Sequence, residues 1–111
     1  MAQELTAIGC EAFILSLNEE RYYDAHEDLE ALWFPRRFEE DDEVKLWKGF
    51  INAAVSFELI KKGRPKPSET AWLTYLKYRP LLEDLESEHC STYVKIVQLL
   101  EKIRSIKCPN S

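Results

Sequence analysis

The stretch Tyr22–Trp33 reads YYDAHEDLEALW and holds the residues best suited to chemistry in this chain. His26 and Glu30 stand four apart, so on a helix their side chains are neighbours able to share a metal ion or a hydrogen bond. A His-Glu-x-x-His helix places two imidazoles on one metal with the intervening Glu as base. Here Glu30 takes the place of the second histidine. His26 and Glu30 could hold zinc, manganese or iron if another helix supplied a third ligand. Glu27 would then be the candidate catalytic base, acting on a metal-bound water in a hydrolytic reaction. The alternative is structural. At roughly 100° per residue, His26 falls inside the apolar stripe of Tyr22, Leu29 and Trp33, with Glu30 on its margin. A histidine so placed is satisfied by Glu30 or by a carbonyl of a neighbouring helix. Glu27 points to another side, where Tyr23 and Phe34 suggest cover by a further helix. The structural reading leads.

The only other histidine is His89, in Glu86-Ser87-Glu88-His89. A Glu-x-x-His pair resembles half of a di-iron bundle site, but such sites need two copies and two further glutamates. Cys10, Cys90 and Cys108 are odd in number and show no short knuckle or redox spacing. A polar strip, Lys45, Gly49, Asn52 and Ser56, runs down an otherwise apolar segment. Facing His26 and Glu30 it would enclose a small pocket with Asn52 as its fixed hydrogen-bonding group; otherwise it is a solvent edge.

The elements that must position these residues read as helices throughout. Leu5, Ile8, Ala12 and Leu15, widened by Phe13 and Ile14, predict a first helix ending near Leu17-Asn18, with Asn18 as a cap. A second runs from about Glu20 to Phe34 and stops at Pro35. The acidic run Glu39–Glu43 suits the positive N-terminal end of a third helix. That helix, about Asp42 to Lys62, is apolar on two faces: Leu46, Phe50, Ala53, Ala54, Phe57 and Ile60 on one, Ile51, Val55 and Leu59 on the other. It should be central, closely approached at Gly49, Ala53 and Ala54, and ended by Gly63. Arg64-Pro65-Lys66-Pro67 reads as non-helical. Ser68 then caps a helix bearing Trp72, Leu73, Leu76, Leu81, Leu82 and Leu85, which Pro80 should kink or split. The last helix spans about Ser91 to Ile106 and presents Tyr93, Val94, Val97, Leu100, Ile103 and Ile106, before a frayed tail over 107–111.

The chain of 111 residues suits one domain (1–111) with a real core, burying roughly two-thirds of its unfolded surface. Its 20 acids against 15 bases, net −5, argue against nucleic acid as partner, because phosphate binding needs a basic face. The short basic stretches at Arg36-Arg37 and Lys61–Lys66 read as solvated helix ends. MAQEL lacks a basic start, and Gly9, Cys10 and Glu11 break the first apolar stretch, so no signal peptide is expected. No apolar run approaches the ~20 residues that span a bilayer. A cytoplasmic, reduced setting follows, with a small ligand or a protein partner left open and the oligomeric state undetermined.

Tyr23-Asp24-Ala25-His26-Glu27-Asp28-Leu29-Glu30-Ala31-Leu32-Trp33 resembles the Tyr/Trp-Glu-Ala-His-Glu-x-Leu-Glu-x-x-Trp helix of the family called domain of unknown function 309. Asp24 stands for the usual Glu. A second hallmark is similar to Gly-Leu-Ile-Gln-x-Ala-Ala followed by a Gly-Asn turn; here it reads Gly49-Phe50-Ile51-Asn52-Ala53-Ala54, then Gly63-Arg64. Asn52 for Gln shortens any reach into a pocket. The resemblance covers about Leu15 to Leu85. It implies a compact antiparallel helical bundle, an activity not established, and His26, Glu27, Glu30, Trp33, Gly49 and Asn52 as motif positions. The expectation is therefore an all-α bundle of about five helices. Tyr22, Tyr23, His26, Glu27, Glu30, Trp33, Gly49 and Asn52 line its motif site, as a polar network or small pocket or, alternatively, as a divalent-metal site of a hydrolase held by His26 and Glu30.

Overall fold

The computed structural model describes residues 2–109. Five α-helices follow one another: α1 (Ala2–Asn18), α2 (Tyr22–Trp33), α3 (Asp42–Lys61), α4 (Pro65–Tyr78) and α5 (Cys90–Lys107). Short 3-10 helices at Phe34–Arg36 and Arg79–Asp84 follow α2 and α4. The all-α reading holds, and no strand occurs among the described residues. Helix α1 packs on α2, α2 on α3 and α3 on α4, and α3 also touches α5. The central place expected for α3 follows from its two apolar faces: Leu46, Phe50, Ala53, Ala54 and Phe57 are fully buried, and Ile51 is buried on the other side.

Aromatic rings run through the core. Phe50 stacks on Phe13 at 6.4 Å and meets Tyr93 at 5.8 Å, while Phe57 meets Tyr22 at 5.5 Å and Trp72 at 5.8 Å. Edge-on and tilted pairs at such separations add about 0.5–1.5 kcal/mol each beyond area burial. This spine draws one hydrophobic cluster from all five helices.

Helix starts and stops follow local chemistry, with corrections. Asp41 caps α3 by accepting the Glu43 N–H at 2.8 Å, so the acidic run is indeed the entrance to that helix. Gly63 ends it with φ +72°. Asn18 caps nothing: it is the last residue of α1, and the link to α2 closes with Glu20 at φ 60° and the Arg21 N–H donating to the Ser16 carbonyl at 2.8 Å. Arg64–Pro67 is not the loop expected, because α4 starts at Pro65. The first four N–H groups of a helix lack intrahelical acceptors, so Pro65 and Pro67 forfeit nothing there. Ser68 lies one turn inside α4, and its hydroxyl donates to the Ser56 carbonyl of α3 at 2.8 Å. Pro80 splits the fourth segment as anticipated.

The buried faces of the outer helices differ from those expected. On α1 the core side is Thr6, Cys10, Phe13, Ser16 and Leu17, whereas Leu5, Ile8 and Leu15 are 60%, 63% and 55% exposed. On α4 the buried residues are Ser68, Ala71, Trp72 and Tyr75, with Leu73 and Leu76 outside. On α5, Ile96 and Arg104 are buried and Val94 and Ile106 exposed. Of the tail, Lys107 is helical and the Cys108 N–H still donates to the Arg104 carbonyl, while Asn110 and Ser111 lie outside the described residues.

Candidate functional site

Helix α2 presents the motif. Ala25 and Leu29 are fully buried and Tyr22 nearly so, which fixes one face of the helix against the core. One step round, His26 Nε2 lies 2.8 Å from Glu30 Oε2, with the imidazole 20% and the carboxylate 44% exposed. The Tyr23 ring, itself exposed, leans on the imidazole at 5.5 Å. His26 Nδ1 is buried and has no hydrogen-bond partner among the described residues. The pair thus commits the accessible ring nitrogen to Glu30 and leaves the other facing the protein. Trp33, half-buried, packs against the core cluster.

The remaining motif residues do not converge on this pair. Glu27 is exposed and lines a groove between α1 and α2 with Asp28, Ala31 and Leu32, a groove that neither His26 nor Glu30 lines. The polar strip of α3 turns toward α4 instead of α2: a Cβ on Gly49 would lie 3.0 Å from Tyr78 Cβ, and Ser56 accepts from Ser68. Asn52 spends its amide on the Lys48 carbonyl at 2.8 Å, within its own helix. Lys45 pairs with Glu40 at 3.0 Å. Gly49 and Ser56 thus serve the packing of α3 on α4.

Among the described residues no group of three or more His, Cys, Asp or Glu gathers to hold an ion. His89 sits at the N-cap of α5, its ring 6.2 Å from Tyr93 and its Nε2 3.7 Å from Glu88. Its backbone N–H donates to Ser87 Oγ at 3.1 Å.

The best-connected polar centre escaped sequence reasoning. Glu43, in the first turn of α3, accepts from Ser87 Oγ at 2.8 Å and from the Tyr93 hydroxyl, which in turn accepts from Trp47 Nε1 at 2.9 Å. Burial first, then Glu43, pushes the Tyr93 phenol far above its ordinary value. Burial, then the nearby carboxylates of Glu43 and Glu11, pushes the Cys10 thiol up to about 12. A second such knot joins α4 to α5, where Glu101 accepts from Tyr75 at 2.9 Å and pairs with Arg79. Glu43 was one acid in a run of five, and only partners some 44 and 50 residues away distinguish it.

Fold and site together define a small all-helical bundle with a His–Glu pair on its second helix. Residues 10–71, more than half of the chain, match the family model described as Domain of unknown function (DUF309), and the chain belongs to that family. The match takes in both hallmark segments. No curated protein and no solved structure matches the chain. No helix among the described residues is long and apolar enough to cross a membrane.

Proposed function

We propose that this chain is a non-catalytic binding module, a single helical domain working in a reducing cytoplasmic setting. In this reading the His-Glu-x-x-Glu motif is a polar lock on α2. The observation that carries it is the closed pair: His26 Nε2 rests 2.8 Å from Glu30 Oε2, while the buried Nδ1 faces away from solvent. A ligating histidine presents a free nitrogen to the metal and uses the other to bond a carboxylate or carbonyl. Here the outward nitrogen already has its carboxylate. Glu27, the residue a hydrolase would need as base, points roughly 100° round the helix, into the α1–α2 groove. The Nε2–Glu30 contact, one turn apart on α2, holds one rotamer of the imidazole.

The test combines stability with elemental analysis. The His26→Ala variant removes a mostly buried ring and its hydrogen bond, so it should lose about 1–2 kcal/mol. That is a fall in melting temperature of roughly 4–8 °C per kcal/mol for a domain of this size. Mass-spectrometric analysis of untagged protein, purified without chelator, should find well under one equivalent of transition metal in both forms. One equivalent in the wild type, absent from His26→Ala, would overturn the reading in favour of a metal-dependent hydrolase.

A further inference from the structure

The stripe that sequence reasoning assigned to the core lies outside it. Leu5, Ile8, Ala12 and Leu15 alternate at spacings of three and four, the seam pattern by which one helix accepts another. Leu5, Ile8 and Leu15 are more than half exposed. On α2, Ala31 and Leu32 form the opposite wall of a groove of about 500 Å³. Gly9 lets the two helices meet at its floor, since a Cβ there would come within 2.7 Å of Leu32 Cδ1. A groove of this kind fits the apolar face of an amphipathic helix, read as side chains at i, i+3, i+4 and i+7.

Charge selects the occupant. Residues 1–33 carry eight acids against the single base Arg21, a net −7, whereas residues 34–111 carry twelve acids and fourteen bases, a net +2. Neither α1 nor α2 contains a Lys or Arg, and Arg21 is taken by Glu19 and Asp24. Glu11 on α1 and Glu27 on α2 belong to no ion pair among the described residues. A second copy docked face to face would set these acids against their own kind, and an anionic lipid surface would be repelled.

We propose that the α1–α2 groove docks a basic amphipathic helix of a partner protein, with apolar side chains seated between Ile8 and Leu32 and Lys or Arg reaching Glu11 and Glu27. The proposal rests on the binding-module reading and names that module's class of partner.

The probe is a fluorescein-labelled helical peptide of roughly three heptads with Leu at a and d and Lys at e and g, followed by fluorescence anisotropy. The intact protein should bind it saturably. Ile8→Ser, on an exposed position, should weaken binding about tenfold, and the double variant Glu11→Lys/Glu27→Lys at least as much. The same peptide with Glu in place of Lys should not bind. Absence of binding overturns the proposal, as does binding indifferent to Ile8→Ser, which would be charge attraction without a groove. Equal binding of the Glu peptide removes the electrostatic selection. Self-association in sedimentation equilibrium that Ile8→Ser abolishes would give the groove to a second copy instead. Each of these failures leaves the metal assay at His26 untouched, and a positive metal result leaves the groove measurement standing.

Discussion

The Tyr93 hydroxyl is held between a donor, the Trp47 indole, and an acceptor, Glu43, on a residue with no exposed surface. Tyr93→Phe keeps the ring against Phe50 but leaves both partners short of a hydrogen bond. Urea denaturation should show a loss of about 1–3 kcal/mol, the usual cost of stranding buried polar groups. Cys10 gives a pH dependence with a definite sign. Its folded thiol is pushed from the ordinary 9.0 up to about 12, first by burial and then by Glu43 and Glu11. Below pH 9 both folded and unfolded chains hold the proton, and the stabilisation is complete. Above it the unfolded chain ionises first, so stability declines progressively from about pH 9 toward 12. Tyr75 and Tyr93, raised by burial and by Glu101 and Glu43 respectively, act in the same direction from their ordinary 10.0 upward. The urea midpoint should therefore fall between pH 8 and pH 10.5, and Cys10→Ala should reduce the part of that fall nearest pH 9. An unchanged pH slope in that variant would refute the assignment to Cys10.

Among the elements, the two helical glycines make opposite predictions. A Cβ on Gly49 would come within 3.0 Å of Tyr78 Cβ and 3.6 Å of the Tyr75 carbonyl, atoms fixed to the backbone of α4. Gly49→Ala must push α3 and α4 apart, and the roughly 1 kcal/mol gained in helix propensity should not offset the loss of packing; melting temperature should drop. Gly9 meets only the side chain of Leu32, whose tip can swing into the groove. Gly9→Ala should melt within a few degrees of the wild type. The same elements show what a sequence can disclose. Helix α3 was legible because both its faces are apolar, so no choice between faces arose. On α1, the stripe Leu5, Ile8, Ala12, Leu15 and the stripe Thr6, Cys10, Phe13, Leu17 obey the same periodicity, and only the packing of Phe13 on Phe50 decides between them. The His26–Glu30 pair was legible from a one-turn spacing. Which helix approaches Gly49 was not, because that is a tertiary fact. Pro65 and Pro67 hid the start of α4 because proline breaks helix interiors but is tolerated in a first turn.

For the molecule as a whole, the closed pair on α2 and the groove beside α1 belong to one hairpin, and the polar knots at Glu43 and Glu101 belong to the rest. The walls of the groove are exposed and cost little to alter, whereas the knots bind α3, α4 and α5 into the body that carries them. Outward-facing changes such as Ile8→Ser, at a side chain 63% exposed, should therefore spare the fold. The uneven division of charge adds a physical property of its own. With net −7 on its first 33 residues and net +2 on the remainder, the protein is an electric dipole as well as an anion. A cationic surface will therefore turn it as it draws near, over a distance set by a Debye length of about 8 Å at physiological salt, so that the hairpin arrives first.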